Sequence, residues 1–429
     1  MNILNKTALI VTVGGSYKPV VSAINDLGPD YIVFICSEDT AVTKTKGSYT
    51  QILSSGNVIK AEATDERATL PNIPTQVGIK SDQFEVVKVH PDDVDDVYRV
   101  ASEAIARLHA KSYIKIVCNY TGGTKSMTAA LVIAGLDIPG VELEFVSGAR
   151  SNLDKVTGDD SIPMQASVEH IRFQKKYETA IAQWQKYDYS ACAVQMRPLA
   201  GSRIREHQIL AQQVYIATQG FSAWDNFDHA TAQTHLDRIK APLGKYLGAY
   251  VNNLFALQDK KATKRQAAQI LDVWLNAQRC AVRERYDDAM ARCYRLVEWS
   301  AQWLLLNYAN IETACIPADK VPTNIILSPS KKMPGQYQAG LIDAWTLAAA
   351  LCPESCATFW QQNRGRLKNI IQARNHSILA HGFEPVSRES WLEMRDLVEH
   401  SLMPELLPHM ESVGIKEMPV QLPTEWFGT

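Results

Sequence analysis

The chain opens with short aliphatic and β-branched runs separated by amphipathic stretches, and this alternation lasts for about its first third. Ala8–Val13, Tyr31–Cys36, Phe84–Val89, Ile114–Asn119 and Leu143–Val146 are short runs rich in aliphatic and β-branched residues, so they predict strands of a sheet covered by helices. Helices are predicted near Pro19–Leu27, Asp93–His109 and Thr124–Ala134. Strands alternating with helices make a parallel sheet with crossover helices. From about Ser167 the strand pattern disappears and apolar residues recur at three- and four-residue spacing with few Gly or Pro. The predicted fold class is therefore α/β followed by all-α.

Three similar phrases recur in the helical part: Tyr187-Asp188-Tyr189-Ser190-Ala191, Phe227-Asp228-His229-Ala230 and Tyr286-Asp287-Asp288-Ala289. Each is predicted to open an amphipathic helix, although their irregular spacing gives no regular repeat. A Pro-, Ser- and Lys-rich loop around Ile316–Gln336 interrupts the last helices, and the tail after Pro408 is expected to be peripheral.

Length changes the picture first: 429 residues imply two or three separate cores. With 46% hydrophobic and 21% charged residues the chain is a folded protein rather than a disordered one. A formal charge of −2 argues against a tight, duplex-coating binder, so any nucleic-acid contact must come from a local basic cluster. The first apolar run, Ala8–Val13, is far too short for a signal peptide or a membrane span, so no membrane association and a cytoplasmic location are expected. The eight cysteines, at 36, 118, 192, 280, 293, 315, 352 and 356, contain no C-x-x-C pair, which argues against zinc and leaves them as small apolar residues.

Two segments carry candidate chemistry. The first, Asn119-Tyr120-Thr121-Gly122-Gly123-Thr124-Lys125, leads from a strand through a double glycine into a helix. Glycines admit close backbone approach, the first helical amides point at an anion, and Thr121, Thr124 and Lys125 add hydroxyls and a cation. It is neither a Walker A loop nor a G-x-G-x-x-G fingerprint, which disfavours a nicotinamide cofactor. Gly14, Gly15 and Ser16 after the first strand, and Ser37 after the second, are predicted to face the same crevice. Tight strand-to-helix turns without a ligand remain the alternative.

The second segment, Ile370–Gly382, reads as a helix stopped by its glycine. Seven steps of ~100° bring Arg374 and His381 onto nearly one stripe, shared with Leu367 and Ile378, whereas His376 falls ~200° away from Arg374. Arginine grips two phosphate oxygens and histidine moves a proton near neutral pH. With the ribose 2′-hydroxyl as nucleophile, that pair suffices for RNA cleavage without a metal. The two Cα atoms are about 10 Å apart along one helix, so two copies of the helix meeting across a two-fold axis suit one phosphate better than one. The alternative role for His381 is to cap a helix C-terminus.

Together, the Thr121–Lys125 loop after the fourth strand and the later Arg374-Asn375 and Ala380-His381-Gly382 resemble the CRISPR-associated CARF-HEPN ribonucleases of type III systems. The resemblance implies a Rossmann-like, CARF-like sensing domain over 1–166, a helical connection over 167–275, a HEPN-like ribonuclease domain over 276–410 and a tail over 411–429. It implies a homodimer, a cyclic oligoadenylate activator, a single-stranded RNA substrate and no cofactor or metal. The family's Arg-x(4–6)-His motif maps onto Arg374 and His381, and Asn375 joins them in the catalytic set. The sensing loop maps onto Asn119, Thr121, Gly122, Gly123, Thr124 and Lys125, with Gly14, Gly15 and Ser16 beside it. A reading from another class is a ligand-responsive scaffold whose helical part binds a protein. Ring size, base preference and self-degradation of the activator are not encoded in any of these patterns.

Overall fold

In the computed structural model, residues 6–40, 46–60, 68–147, 150–151, 155–156, 162–331, 333–375 and 382–427 are described. They divide into two compact units, 1–172 and 173–429.

All five predicted strands form in the first unit, as β1 (Thr7–Val13), β2 (Tyr31–Ser37), β3 (Phe84–Val89), β4 (Lys115–Asn119) and β5 (Val141–Ser147). A sixth, β6 (Ile162–Gln165), escapes the pattern because it is a short edge strand with mostly wetted side chains and a proline. The order across the sheet is β6-β5-β4-β1-β2-β3, with β6 antiparallel to β5 and the other pairs parallel. Helices α1 (Lys18–Leu27), α2 (Val94–Ala110) and α3 (Lys125–Asp137) make the crossovers.

The period of two along β1 decides what packs where. Ala8 and Ile10 point to the face covered by α2 and α3, and Leu9, Val11 and Val13 to the face covered by α1. From β1 the chain winds one way through β2 and β3 and the other way through β4 and β5. The sheet therefore has its topological switch point between β1 and β4, where ligands of such sheets collect.

The second unit is helical: α4 (Glu169–Trp184), α5 (Tyr189–Leu199), α6 (Arg205–Asp225), α7 (His229–Arg238), α8 (Lys240–Leu257), α9 (Ala262–Val282), α10 (Tyr286–Ala309), α11 (Leu341–Leu351), α12 (Glu354–Asn375), α13 (Arg388–Leu397) and α14 (Met403–Glu411). The unit boundary falls in the first turn of α4.

The three recurring phrases mark one structural motif, with a shift in the third. Tyr187, Phe227 and Glu284 each take a left-handed conformation, at φ 59°, 62° and 59°. In each, that residue's N–H bonds back to the carbonyl three before it and the next N–H to the carbonyl five before. Asp188 and Asp228 then cap the following helix by accepting from the Ala191 and Thr231 N–H groups. In the third junction Arg285 stands at that position without a side-chain cap, so Tyr286 is already helical. The two earlier aromatics occupy the turn itself.

Two cores fill the unit. One joins α4–α8 around Trp184, Phe221 and Trp224, and the other joins α9–α14 around Trp303 and Trp345. Position 276 lies inside α9, and Ala267, Ile270 and Leu271 upstream of it share the second core with Ala277 and Cys280 downstream.

The tail is not peripheral. Leu422 is 2% exposed, the Trp426 ring lies 5.5 Å from that of Trp184, and Pro423 accepts the Tyr189 hydroxyl. The cause is aromatic: Trp426 and Phe427 have large apolar faces to bury, and the first core offers Trp184 and Tyr246 to receive them.

Candidate functional site

At the switch point the loops after β1 and β4 are in backbone contact. A methyl group on Gly14 would sit 2.5 Å from the Gly123 nitrogen, and one on Gly122 would sit 2.4 Å from the Thr12 carbonyl oxygen. Only glycine permits this approach. Gly123 also takes φ +92°, where a side chain is strained. The two Gly-Gly motifs thus meet at the carboxyl ends of β1 and β4.

The predicted polar residues divide by role. Asn119 is buried and spends its side chain inside the protein, donating to Glu144 Oε1 at 2.8 Å and accepting the Thr121 N–H at 3.1 Å. Thr121 Oγ1 accepts the Val146 N–H at 2.6 Å, which ties the loop to β5. Thr124 is the N-cap of α3, accepting the Met127 N–H and donating to the Pro91 carbonyl. These three shape the loop. Lys125 is exposed in the first turn of α3, whose initial amides have no helical carbonyl to bond. Gly15 is exposed, with nothing within 4 Å of where a Cβ would stand.

The loop after β2 is held separately. Ser37 exchanges bonds with Ser48, N–H to Oγ at 2.9 Å in each direction. Asp39 accepts from the Gly47 N–H and the Tyr49 hydroxyl, and these bonds hold its carboxyl below the usual range.

Three further residues belong to the crevice. Thr12, buried in β1, donates to the Gly122 carbonyl at 2.5 Å; Thr128 donates to the same carbonyl at 3.2 Å; and Gln51 donates to the Gly14 carbonyl at 2.6 Å. Thr12 had a signal, a hydroxyl in an otherwise apolar strand just before Gly14-Gly15. Gln51 had none. Burial raises the Glu144 carboxyl, and the Asn119 bond opposes that rise. The crevice floor is thus glycine backbone, hydroxyls and a helix N-terminus, which suits phosphate oxygens.

In the helical unit, Arg374 and Asn375 lie in the last turn of α12, and His381 lies outside the described residues. The shared stripe of Arg374 and His381 falls there too. Upstream, α12 is fixed by an inward row of Cys356, Phe359, Trp360, Asn363 and Leu367, and by an Arg366–Asp396 ion pair to α13 at 2.8 Å. Downstream, the Val386 N–H bonds the Asp287 carboxylate on α10. Both flanks of the predicted catalytic segment are therefore held by α10, α12 and α13.

Residues 258–403 match the family model described as the Csm6 HEPN domain. No curated protein matches the chain. Among solved structures, Csm6 of Enterococcus italicus bound to cyclic hexa-2′-fluoro-hexa-dAMP has a TM-score of 0.53 at 12% identity, covering 95% of each chain. Can2 of Sulfobacillus thermosulfidooxidans in complex with cyclic tetra-adenylate has a TM-score of 0.24 at 11% identity, covering 56% of this chain and 69% of that one, too loose for a common fold. A parallel sheet with glycine loops in contact is thus joined in one chain to a HEPN-type helical region. Within the chain, the segment 258–403 is of the Csm6 HEPN type. The family model carries the assignment of that segment, and the likeness to the Enterococcus structure carries the fold alone.

Proposed function

We propose that the chain is a cyclic-oligoadenylate-activated endoribonuclease of type III CRISPR defence, cutting single-stranded RNA as a homodimer without a catalytic metal. The observation that carries this is the joining, in one chain, of a Csm6-type HEPN region with a crevice whose two Gly-Gly loops cross at the sheet's switch point. A cyclic oligoadenylate presents the phosphates that such a crevice accepts, at the Gly14–Ser16 and Asn119–Lys125 loops with Ser37 at the rim. In this reading 1–166 senses the activator, 167–275 connects, and 276–410 cuts.

The chemistry rests on Arg374, Asn375 and His381. The ribose 2′-oxygen attacks the adjacent phosphorus and the 5′-oxygen leaves, so a 2′,3′-cyclic phosphate and a 5′-hydroxyl result. His381 moves the proton between these oxygens, Arg374 stabilises the charge gathering on the phosphoryl oxygens, and Asn375 orients the group. Activation requires that the ligand favour one dimer arrangement over another.

The test is to incubate the full chain with single-stranded RNA and EDTA, adding cyclic tri-, tetra- and hexa-adenylate in turn. Cleavage with one ring size, cyclic-phosphate ends, and loss of cleavage in His381→Ala with ligand binding retained are expected. Absence of cleavage with every ring, while the ligand still binds, would favour the ligand-responsive scaffold.

A further inference from the structure

A second cluster in the helical unit stands outside this chemistry. Cys356, in the first turn of α12, is buried, and Glu405 and His409 lie one turn apart on α14. Cys356 Sγ, a Glu405 carboxylate oxygen and a His409 ring nitrogen all lie within 4.8 Å of one another. His409 Nε2 is 3.0 Å from Glu405 Oε1, 3.8 Å from Cys356 Sγ and 3.2 Å from Ser355 Oγ. The Ser355 hydroxyl donates to Glu405 Oε1 at 2.8 Å, and the ring nitrogen, the carboxylate oxygen and the thiol sulfur face one point.

The separations are those of ligands around one ion. Metal–ligand distances of about 2.3 Å for sulfur and about 2.0–2.2 Å for nitrogen or oxygen give tetrahedral edges of roughly 3.3–3.8 Å. The observed 3.8 Å nitrogen–sulfur distance falls at the upper end of that range, and the 3.0 Å nitrogen–oxygen distance lies below it, at hydrogen-bond length, so the carboxylate and ring must part by a few tenths of an ångström to share an ion. Cys352, at the C-cap of α11, stands one turn before Cys356, and the two thiols interact. On the far side of the ring, His409 Nδ1 meets the Tyr308 hydroxyl of α10 at 2.8 Å. An imidazole bonded through one nitrogen and oriented through the other is the arrangement of a metal-binding histidine.

We infer that Cys356, Glu405 and His409, completed by Cys352, form a structural zinc site that clips α14 to the α11–α12 junction. Two thiolates, an imidazole and a carboxylate select zinc over magnesium or calcium, which prefer oxygen ligands throughout. The spacing is Cys-x3-Cys with Glu-x3-His beginning 49 positions after Cys356, so it lacks the C-x-x-C signature. Cys356 and Arg374 are 18 positions apart on α12, about 27 Å along the helix axis. The ion therefore holds the domain and takes no part in metal-independent cleavage at the far end, and the two proposals stand separately.

The experiment is elemental analysis of the full chain, purified under reducing conditions without chelator, followed by cobalt titration of the stripped protein. About one zinc per chain is expected, with a thiolate-to-cobalt charge-transfer band on titration. Tyr308→Phe, which keeps the ring and loses only the hydroxyl, should weaken zinc about tenfold. Glu405→Gln and Cys356→Ser should weaken it more. A folded chain that carries no zinc and gives no cobalt band overturns the proposal, as does zinc retained unchanged in Cys356→Ser and His409→Gln.

Discussion

A methyl group at Gly122 meets the Thr12 carbonyl at 2.4 Å, whereas one at Gly15 meets nothing within 4 Å. The two glycines of similar appearance in sequence therefore predict opposite outcomes. Gly122→Ala should cost about 1–3 kcal/mol, because backbone cannot yield as a side chain can, and should weaken cyclic oligoadenylate binding. Gly15→Ala should keep the melting temperature within the error of a surface change. Calorimetric binding and thermal melts of both variants check this; equal effects would place the loops apart. Glu144 supplies a pH test. Its folded pKa is raised by burial, so between the unfolded and folded values the native state binds more protons. Its stabilising contribution is complete below the ordinary carboxylate range and is lost as pH rises through the raised value. Glu144→Gln keeps an acceptor for Asn119 and removes the titration. Its melting temperature relative to the parent should rise as pH climbs above the ordinary carboxylate value of about 4, and a difference independent of pH would show a solvated carboxyl.

Among the elements, the junctions of α6, α7 and α9 are joined by buried charge. Arg279 is 0% exposed; its Nε donates to Asp225 at 2.7 Å and its Nη1 to Gln421 of the tail at 2.6 Å. Asp272 on the same helix accepts from Trp224 and lies 2.9 Å from His229 Nε2. Removing the guanidinium leaves Asp225 with Arg283 as its one remaining cation among the described pairs, takes the nearby guanidinium from Asp272 and opens a cavity in a buried site. Arg279→Ala should therefore destabilise by about 3–5 kcal/mol, read as a lowered urea midpoint. A loss under about 1 kcal/mol would mean that water reaches the pair as at a surface. Gln421→Ala tests the tail separately, since Gln421 also donates to the Leu275 carbonyl at 3.0 Å. Its effect should be smaller, about 1 kcal/mol, with faster proteolysis after Ile415.

For the whole molecule, activator binding should raise the stability of the unit that holds the crevice. At a hundredfold excess over Kd the gain is about 2.7 kcal/mol, visible as an upshift of one melting transition. In Arg374→Ala that upshift should persist while RNA cleavage falls by several hundredfold or more, on the scale of one lost oxyanion contact. No helix among the described residues is long and apolar enough to cross a membrane. The central strands β1 and β2 were legible in the sequence because a strand buried on both faces has a continuous apolar run, the other three because β-branched runs alternate with helical stretches, and the double glycines because so few residues tolerate backbone contact. Local order alone determines these: apolar period, turn chemistry and the residues flanking each strand end. The edge strand β6, the docked tail, the roles of Thr12 and Gln51, and the meeting of Cys356 with Glu405 and His409 were decided only by tertiary structure. Each depends on groups distant along the chain, and the contact energy of such pairs has no signature in the local pattern of either partner.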